Sequence, residues 1–386
     1  MGAHGHRREG PASRRELRVG LAVVLVVGIA TLGAMIWMWP SGVPSTGEPP
    51  LPQVDGAIIE LDREPCPEAL PDEVNGCGSA VVRLTDGPDA GSSVQVALPN
   101  GTGAPEVEAG DDVVLVRSTT PDGESYSIVD HQRATGLWMV AAAFALALVT
   151  FGRWRGVTAL AGLGVTFAVL VFFVVPAIVA GEPPLLVAIV GSAAIMLTVL
   201  YLTHGFGAAT TVAVLGTLIS LTLTGLLSAA SVAALHLTGV TDDLSAAVGT
   251  TQQVNTQGLL LAGIVIGSLG VLDDVTVTQA VTVTELARAN PLSRAGELYR
   301  AGSRVGRAHI ASVVNTVVLA YAGSSLPLLI LVVTAGDTLR DVVTDQVIAQ
   351  EIVRSAVATL GLVAAVPVTT GLAALVAAGE KGSRSA

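Results

Sequence analysis

Eight apolar stretches constrain this chain more than any other feature, because most are long enough to cross a lipid bilayer. A spanning helix needs about 20 predominantly apolar residues. Runs of that kind lie at 17–39, 136–150, 156–180, 185–202, 207–235, 258–286, 309–333 and 352–378. Apolar residues make up 51% of the chain and charged residues 13%, so little charge interrupts them. The fold class that follows is a mainly α-helical polytopic membrane protein with a small extracytoplasmic β domain.

Basic residues orient the runs, since short cytoplasmic loops collect Arg and Lys. With the amino terminus inside, most of them fall in the amino-terminal tail, at Arg153 and Arg155, between Arg288 and Arg307, and in the carboxyl-terminal tail. Only Arg340 and Arg354 then lie in short outer loops. Both termini are expected in the cytoplasm, with the chain threaded through a bacterial plasma membrane. No small-residue cleavage site follows Trp37, Met38, Trp39 and Pro40, so the first run reads as an uncleaved anchor. The resulting domains are a basic tail at 1–16, the anchor at 17–39, an outer domain at 41–135, a seven-helix membrane domain at 136–378 and a tail at 379–386.

The segment 41–135 is rich in Pro, Gly, Asp and Glu and carries 17 acidic residues against 4 basic ones. Alternation at Val94, Val96 and Leu98, and at Tyr126 and Ile128, predicts half-buried strands. Asn100-Gly101 and Pro121-Asp122-Gly123 supply turns between them. An OB-like barrel or a small sandwich fits this pattern. The only two cysteines, Cys66 and Cys77, both fall here, and an oxidising compartment favours a disulfide over two free thiols.

Asp273 and Asp274 sit in the sixth run, which holds no basic residue as far as 286. A charge at the bilayer centre costs roughly 2.5 to 3.5 kcal/mol even on the lenient insertion scale, so such residues are kept mainly where they are used. Two adjoining carboxylates in a low dielectric are expected to share a proton, the arrangement of a proton or cation relay. Gly263, Gly267 and Gly270 share a helical face that Asp274 continues, which predicts a close helix contact there with Asp273 turned aside. The alternative is a helix ending near Leu272 and capped in water by the pair. Thr278, Gln279 and Glu285 follow on the same run, and His309, Asn315 and Thr316 on the seventh run are the expected polar partners, unless they serve only interhelical hydrogen bonds. Arg300, Arg304 and Arg307 line one face of an expected short helix lying on anionic lipid headgroups. Nucleic acid is not an expected partner, because no domain-wide basic surface exists.

No phosphate loop, nucleophile elbow, His-Glu-x-x-His or Cys-x-x-Cys motif occurs, so no enzyme, cofactor or metal site is expected. The run GSLGVLDDVTVTQ at 267–279, the basic loop, and GRAHIASVVNTVVLAYAGSSLPLL at 306–329 resemble the YibE/F family of bacterial membrane proteins. That resemblance extends less distinctly from the outer domain to the carboxyl terminus and implies topology rather than chemistry. A fainter likeness is to resistance-nodulation-division exporters and the SecD/SecF translocation partners. In those exporters an Asp-Asp pair carries protons, which implies the same for Asp273 and Asp274. This chain lacks their duplicated half and Lys partner, so coupling would call for a homo-oligomer or a second membrane subunit. The expected function is a proton- or cation-coupled transporter or export accessory, with Asp274 as chief proton acceptor. A non-transporting envelope scaffold whose outer domain binds a partner is the alternative.

Overall fold

The computed structural model describes residues 14–40, 42, 51–66, 73–120, 123–240, 243–334 and 339–382. Residues 1–13 and 383–386 of the expected tails, including Arg7, Arg8 and Arg384, and the Pro121-Asp122 part of one expected turn lie outside those residues. The chain divides into two compact units, Ser45–Phe151 and the remainder.

Five strands, β1 (Gln53–Glu64), β2 (Cys77–Leu84), β3 (Ser93–Ala97), β4 (Asp112–Thr120) and β5 (Gly123–His131), build the smaller unit. They form one antiparallel sheet in the order β3-β2-β1-β4-β5. The edge strands β3 and β5 come together, so the sheet curls into a partly open barrel rather than two facing layers. Alternate residues supply its core: Val54, Ile58, Ala80, Val82, Leu84, Val96, Val113, Leu115 and Ile128 are all buried. Cys66 and Cys77 are disulfide-bonded, with Cα atoms 4.8 Å apart. Beside them the buried Asn75 donates to the carbonyls of Pro99 and Pro105 and accepts from the Val107 amide, tying three loop segments together. This unit also includes α2 (Ala134–Gly152), an apolar helix with no buried residue.

The larger unit begins with α1 (Arg14–Trp37) and continues with α3 (Trp154–Val169), a π turn (Leu170–Val174) and α4 (Val175–Val179), which together make one span. Then follow α5 (Pro184–His204), α6 (Ala208–Ala234), α7 (Asp243–Thr251), α8 (Thr256–Ala289), α9 (Ala295–Ser324), α10 (Leu326–Thr334), α11 (Leu339–Thr344) and α12 (Gln346–Gly382). Eight helical segments among the described residues are long and apolar enough to span, and they correspond one for one with the eight runs read from the sequence. α8 is the hub, packed against α5, α6, α9 and α12.

α6, α8 and α12 pack through small residues. A Cβ at Gly361 of α12 would fall 2.0 Å from Thr224 Oγ1 of α6, and a Cβ at Gly216 of α6 would fall 2.3 Å from Thr369 Oγ1 of α12. Each helix thus offers a glycine notch to the other's threonine, which lets the backbones approach closely where lipid provides no hydrophobic drive. Several hydroxyls of α6 meet the bilayer's demand for internal hydrogen bonds by folding back: Thr217, Thr224 and Ser228 donate to the carbonyls of Ala213, Ser220 and Thr224.

Three expectations need correction. The basic segment is no separate surface helix, because α9 runs unbroken through Arg300, Arg304 and Arg307 into the apolar span; Glu297 caps its start by accepting from the Arg294 amide at 2.9 Å. The seventh apolar run is not one helix either: α9 ends at Ser324, and Pro327 occupies the first turn of α10, where its missing N–H is harmless. Arg354 belongs to α12 rather than to a loop.

Candidate functional site

α8 carries the acid pair because nothing in its sequence stops it there. Asn255 caps its start by accepting from the Gly258 amide at 2.8 Å, and no Gly or Pro occurs between Gly270 and its end at Ala289. With about 1.5 Å of rise per residue, Asp274 lies roughly 27 Å from the start of α8 and roughly 22 Å from its end. The helix therefore does not end near Leu272, as the alternative of a shorter helix expected.

The two aspartates have unlike surroundings, the reverse of those expected from the glycine face. Asp274 is exposed, on the same face as the exposed Gly263, Gly267 and Gly270. A Cβ built at Gly263 or Gly270 would meet nothing within 4 Å, and one at Gly267 would meet only the Tyr321 hydroxyl at 3.1 Å. That face is not the tight contact the glycine spacing suggested. The close approaches fall elsewhere on α9: a Cβ at Gly302 would sit 2.7 Å from Val283, and one at Gly306 would sit 2.5 Å from Val366.

Asp273, turned about 100° from its neighbour, is only partly exposed, and its Oδ1 is enclosed without a hydrogen-bond partner. Neither aspartate belongs to an ion pair among the described residues. The backbone beneath them is held firmly. Thr276 Oγ1 lies 3.1 Å from the Asp273 carbonyl oxygen and 2.6 Å from Thr217 Oγ1 of α6, with both threonines fully buried.

The other expected residues do not converge on the pair. Gln279 is buried and donates to the Gly302 carbonyl at 2.8 Å, which makes it a tie between α8 and α9. Thr278 and His309 are half-buried, whereas Asn315 and Thr316 are exposed, and Thr316 bonds back to the Ser312 carbonyl. Glu285 is exposed and bridges to Arg288 at 2.6 Å. Arg300, Arg304 and Arg307 are exposed along the first half of α9. Among the described residues no three His, Cys, Asp or Glu side chains gather as a metal site.

One charged pair escaped the sequence reading. Arg354 Nη1 contacts Glu351 at 3.0 Å on α12, inside a spanning segment, with side-chain exposures of 29% and 19%. The other arginines described from α3 onward are exposed. The i, i+3 spacing of Glu351 and Arg354 is visible in the sequence, but the apolar run at 352–378 begins one residue after Glu351 and hides the pair.

A family model described as YibE/F-like protein matches residues 140–379. The matched region holds the acid pair and every spanning segment from α3 to α12, and it does not include the β strands. No curated protein and no solved structure matched the chain. With more than half its length covered by that model, the chain belongs to the YibE/F-like protein family.

Proposed function

We propose that this protein is a proton- or cation-coupled membrane transporter, or an accessory to export, in which Asp273 and Asp274 carry the ion. The observation that supports this reading most is the enclosed Asp273 Oδ1, left without a partner beside a second carboxylate midway along a spanning helix. A carboxylate so placed is costly unless it takes up a proton or cation during the working cycle. In this reading Asp273 is the acceptor and the exposed Asp274 exchanges the ion with the surface of α8. The protein is not an enzyme, both termini are cytoplasmic, and the membrane is the bacterial plasma membrane. Arg300, Arg304 and Arg307 face anionic headgroups, and a homo-oligomer or second membrane subunit covers the open face of α8.

The test is ion flux in vesicles reconstituted with the full chain and loaded with a pH-sensitive dye. Wild type should dissipate an imposed proton gradient, and Asp273→Asn should not. Equal flux in wild type, Asp273→Asn and Asp274→Asn would remove the relay. A scaffold role is the second reading, favoured by the separate compactness of the β unit. Capture of an envelope partner by a protein that moves no ions would select it.

A further inference from the structure

A cavity of about 410 Å³ opens where the end of α6 meets the start of α12. Its walls are Leu235, Leu237, Val343, Ala349, Ile352 and Val353, and its polar lining is His236, Thr344 and Gln346. Polarity is graded along the helix axis. Gln346 is the first residue of the α12 span, while Ala349, Ile352 and Val353 lie roughly 4 to 10 Å deeper at 1.5 Å per residue. The polar groups therefore lie at the start of the α12 span, beside Leu235, Leu237 and Val343, and the apolar walls continue into the span.

The rim is built in advance rather than left to a flexible loop. Gln257 Nε2 donates to the Leu237 carbonyl at 3.0 Å, Thr256 Oγ1 to the Thr238 carbonyl at 2.7 Å, and Gln350 Nε2 to the Val240 carbonyl at 3.1 Å. Gln346 adds a bond to the Thr238 hydroxyl. Gly239, at φ 83°, brings the loop so near α8 that a Cβ there would lie 2.1 Å from the Thr256 carbonyl oxygen. His236 is held at φ 52°, a conformation uncommon outside glycine. Preformed clefts of several hundred Å³, largely apolar with a few fixed polar groups, are the usual form of a small-molecule site.

We propose that this cavity binds a lipid-like amphiphile, its acyl chain against Ala349, Ile352 and Val353 and its polar head against His236, Thr344 and Gln346. The proposal does not depend on ion coupling by the acid pair. A chain entering sideways from the bilayer would find the same depth order it has in a leaflet, with head at the span boundary and tail within it.

The test uses the full chain in phosphatidylcholine vesicles doped with either diazirine-tagged palmitic acid or diazirine-tagged phosphatidylglycerol, photolysed and mapped by peptide mass spectrometry. Adducts at Ile352 and Val353 should exceed those at the exposed Leu375 by about tenfold for the probe that binds. Ala349→Trp, which fills the cavity, should reduce them to the Leu375 level; Val343→Trp fills it from the opposite wall if the first variant does not fold. Labelling by the fatty acid alone identifies a free acid as occupant, and labelling by the phospholipid identifies a membrane lipid. Equal labelling of Leu375 and the cavity, or labelling that survives both fillings, overturns the proposal.

Discussion

Thr217 of α6 and Thr276 of α8 place their hydroxyl oxygens 2.6 Å apart in a fully buried position. Each hydroxyl has one proton, so one donates to the other while the accepting hydroxyl donates to its backbone carbonyl, Asp273 for Thr276 or Ala213 for Thr217. The pair therefore locks the register of α8 against α6 within one turn of the acids. Thr217→Val should cost about 1 kcal/mol, the net worth of one buried hydrogen bond. The double variant Thr217→Val/Thr276→Val should cost less than the sum of the singles, because either single already removes the bond the two share. Thermal unfolding in detergent measures both, and strictly additive losses would show that the hydroxyls are not coupled.

Gly361 should not tolerate alanine. The added Cβ would lie 2.0 Å from Thr224 Oγ1, on a branched side chain with little room to retreat. A loss of roughly 1 to 3 kcal/mol is expected from such overpacking, and Thr224→Ala in the same chain should recover most of it. An unchanged midpoint for Gly361→Ala alone would mean that α6 and α12 separate more easily than this packing implies.

The two aspartates should differ in their effect on stability. Asp273→Asn or Asp273→Leu removes an enclosed, unpartnered carboxylate, so the melting midpoint should rise even as flux is lost. Asp274→Asn alters an exposed group and should leave the midpoint near wild type. A fall in the midpoint for Asp273→Leu would show that the acid contributes to packing rather than opposing it.

Breaking the Cys66–Cys77 bond should loosen the β unit. The cysteines are 11 positions apart, and closing a loop of that size contributes roughly 2 to 3 kcal/mol on the chain-entropy model. Cys66→Ser/Cys77→Ser should be cut faster by trypsin within 51–131, read on a gel against wild type. Identical digestion with and without the bond would locate the stability of this unit elsewhere.

Tyr126 gives the β unit an alkaline signature. Its hydroxyl donates to Asp89 Oδ2 at 2.9 Å, and this hydrogen bond, then burial, then the Asp89 charge push its ionisation above the usual tyrosine value. A folded-state pKa above the unfolded one means that the contribution is complete below the unfolded value, near 10, and disappears as pH rises through the folded value. The ultraviolet difference between wild type and Tyr126→Phe should report a late ionisation, and Asp89→Asn should bring it earlier. An unmoved titration in Asp89→Asn would exclude the hydrogen bond as its cause.

The spanning helices were legible because a bilayer demands length and apolarity from each segment separately, and 17–39 or 207–235 meets that demand without reference to any neighbour. The strands of the β unit were legible through the alternation at Val94, Val96 and Leu98. Glycine spacing was misleading for the opposite reason. Gly263, Gly267 and Gly270 form a face by helical geometry alone, but whether another helix comes to it depends on the arrangement of all the helices. The notches that are filled, at Gly216, Gly302, Gly306 and Gly361, were settled by that arrangement.

By itself, the sequence determined how many segments of this chain are long and apolar enough to cross a bilayer, that two carboxylates lie within one of those apolar runs, and which segment is not apolar. These are properties of single segments and their cost of transfer from water. Tertiary structure alone decided which aspartate is enclosed, that Gln279 ties α8 to α9 rather than serving the acids, and that the Arg-rich segment continues as α9. Burial of a side chain is set by what packs against it from elsewhere in the chain, and a 100° turn between neighbours separates solvent from interior only once those partners are in place.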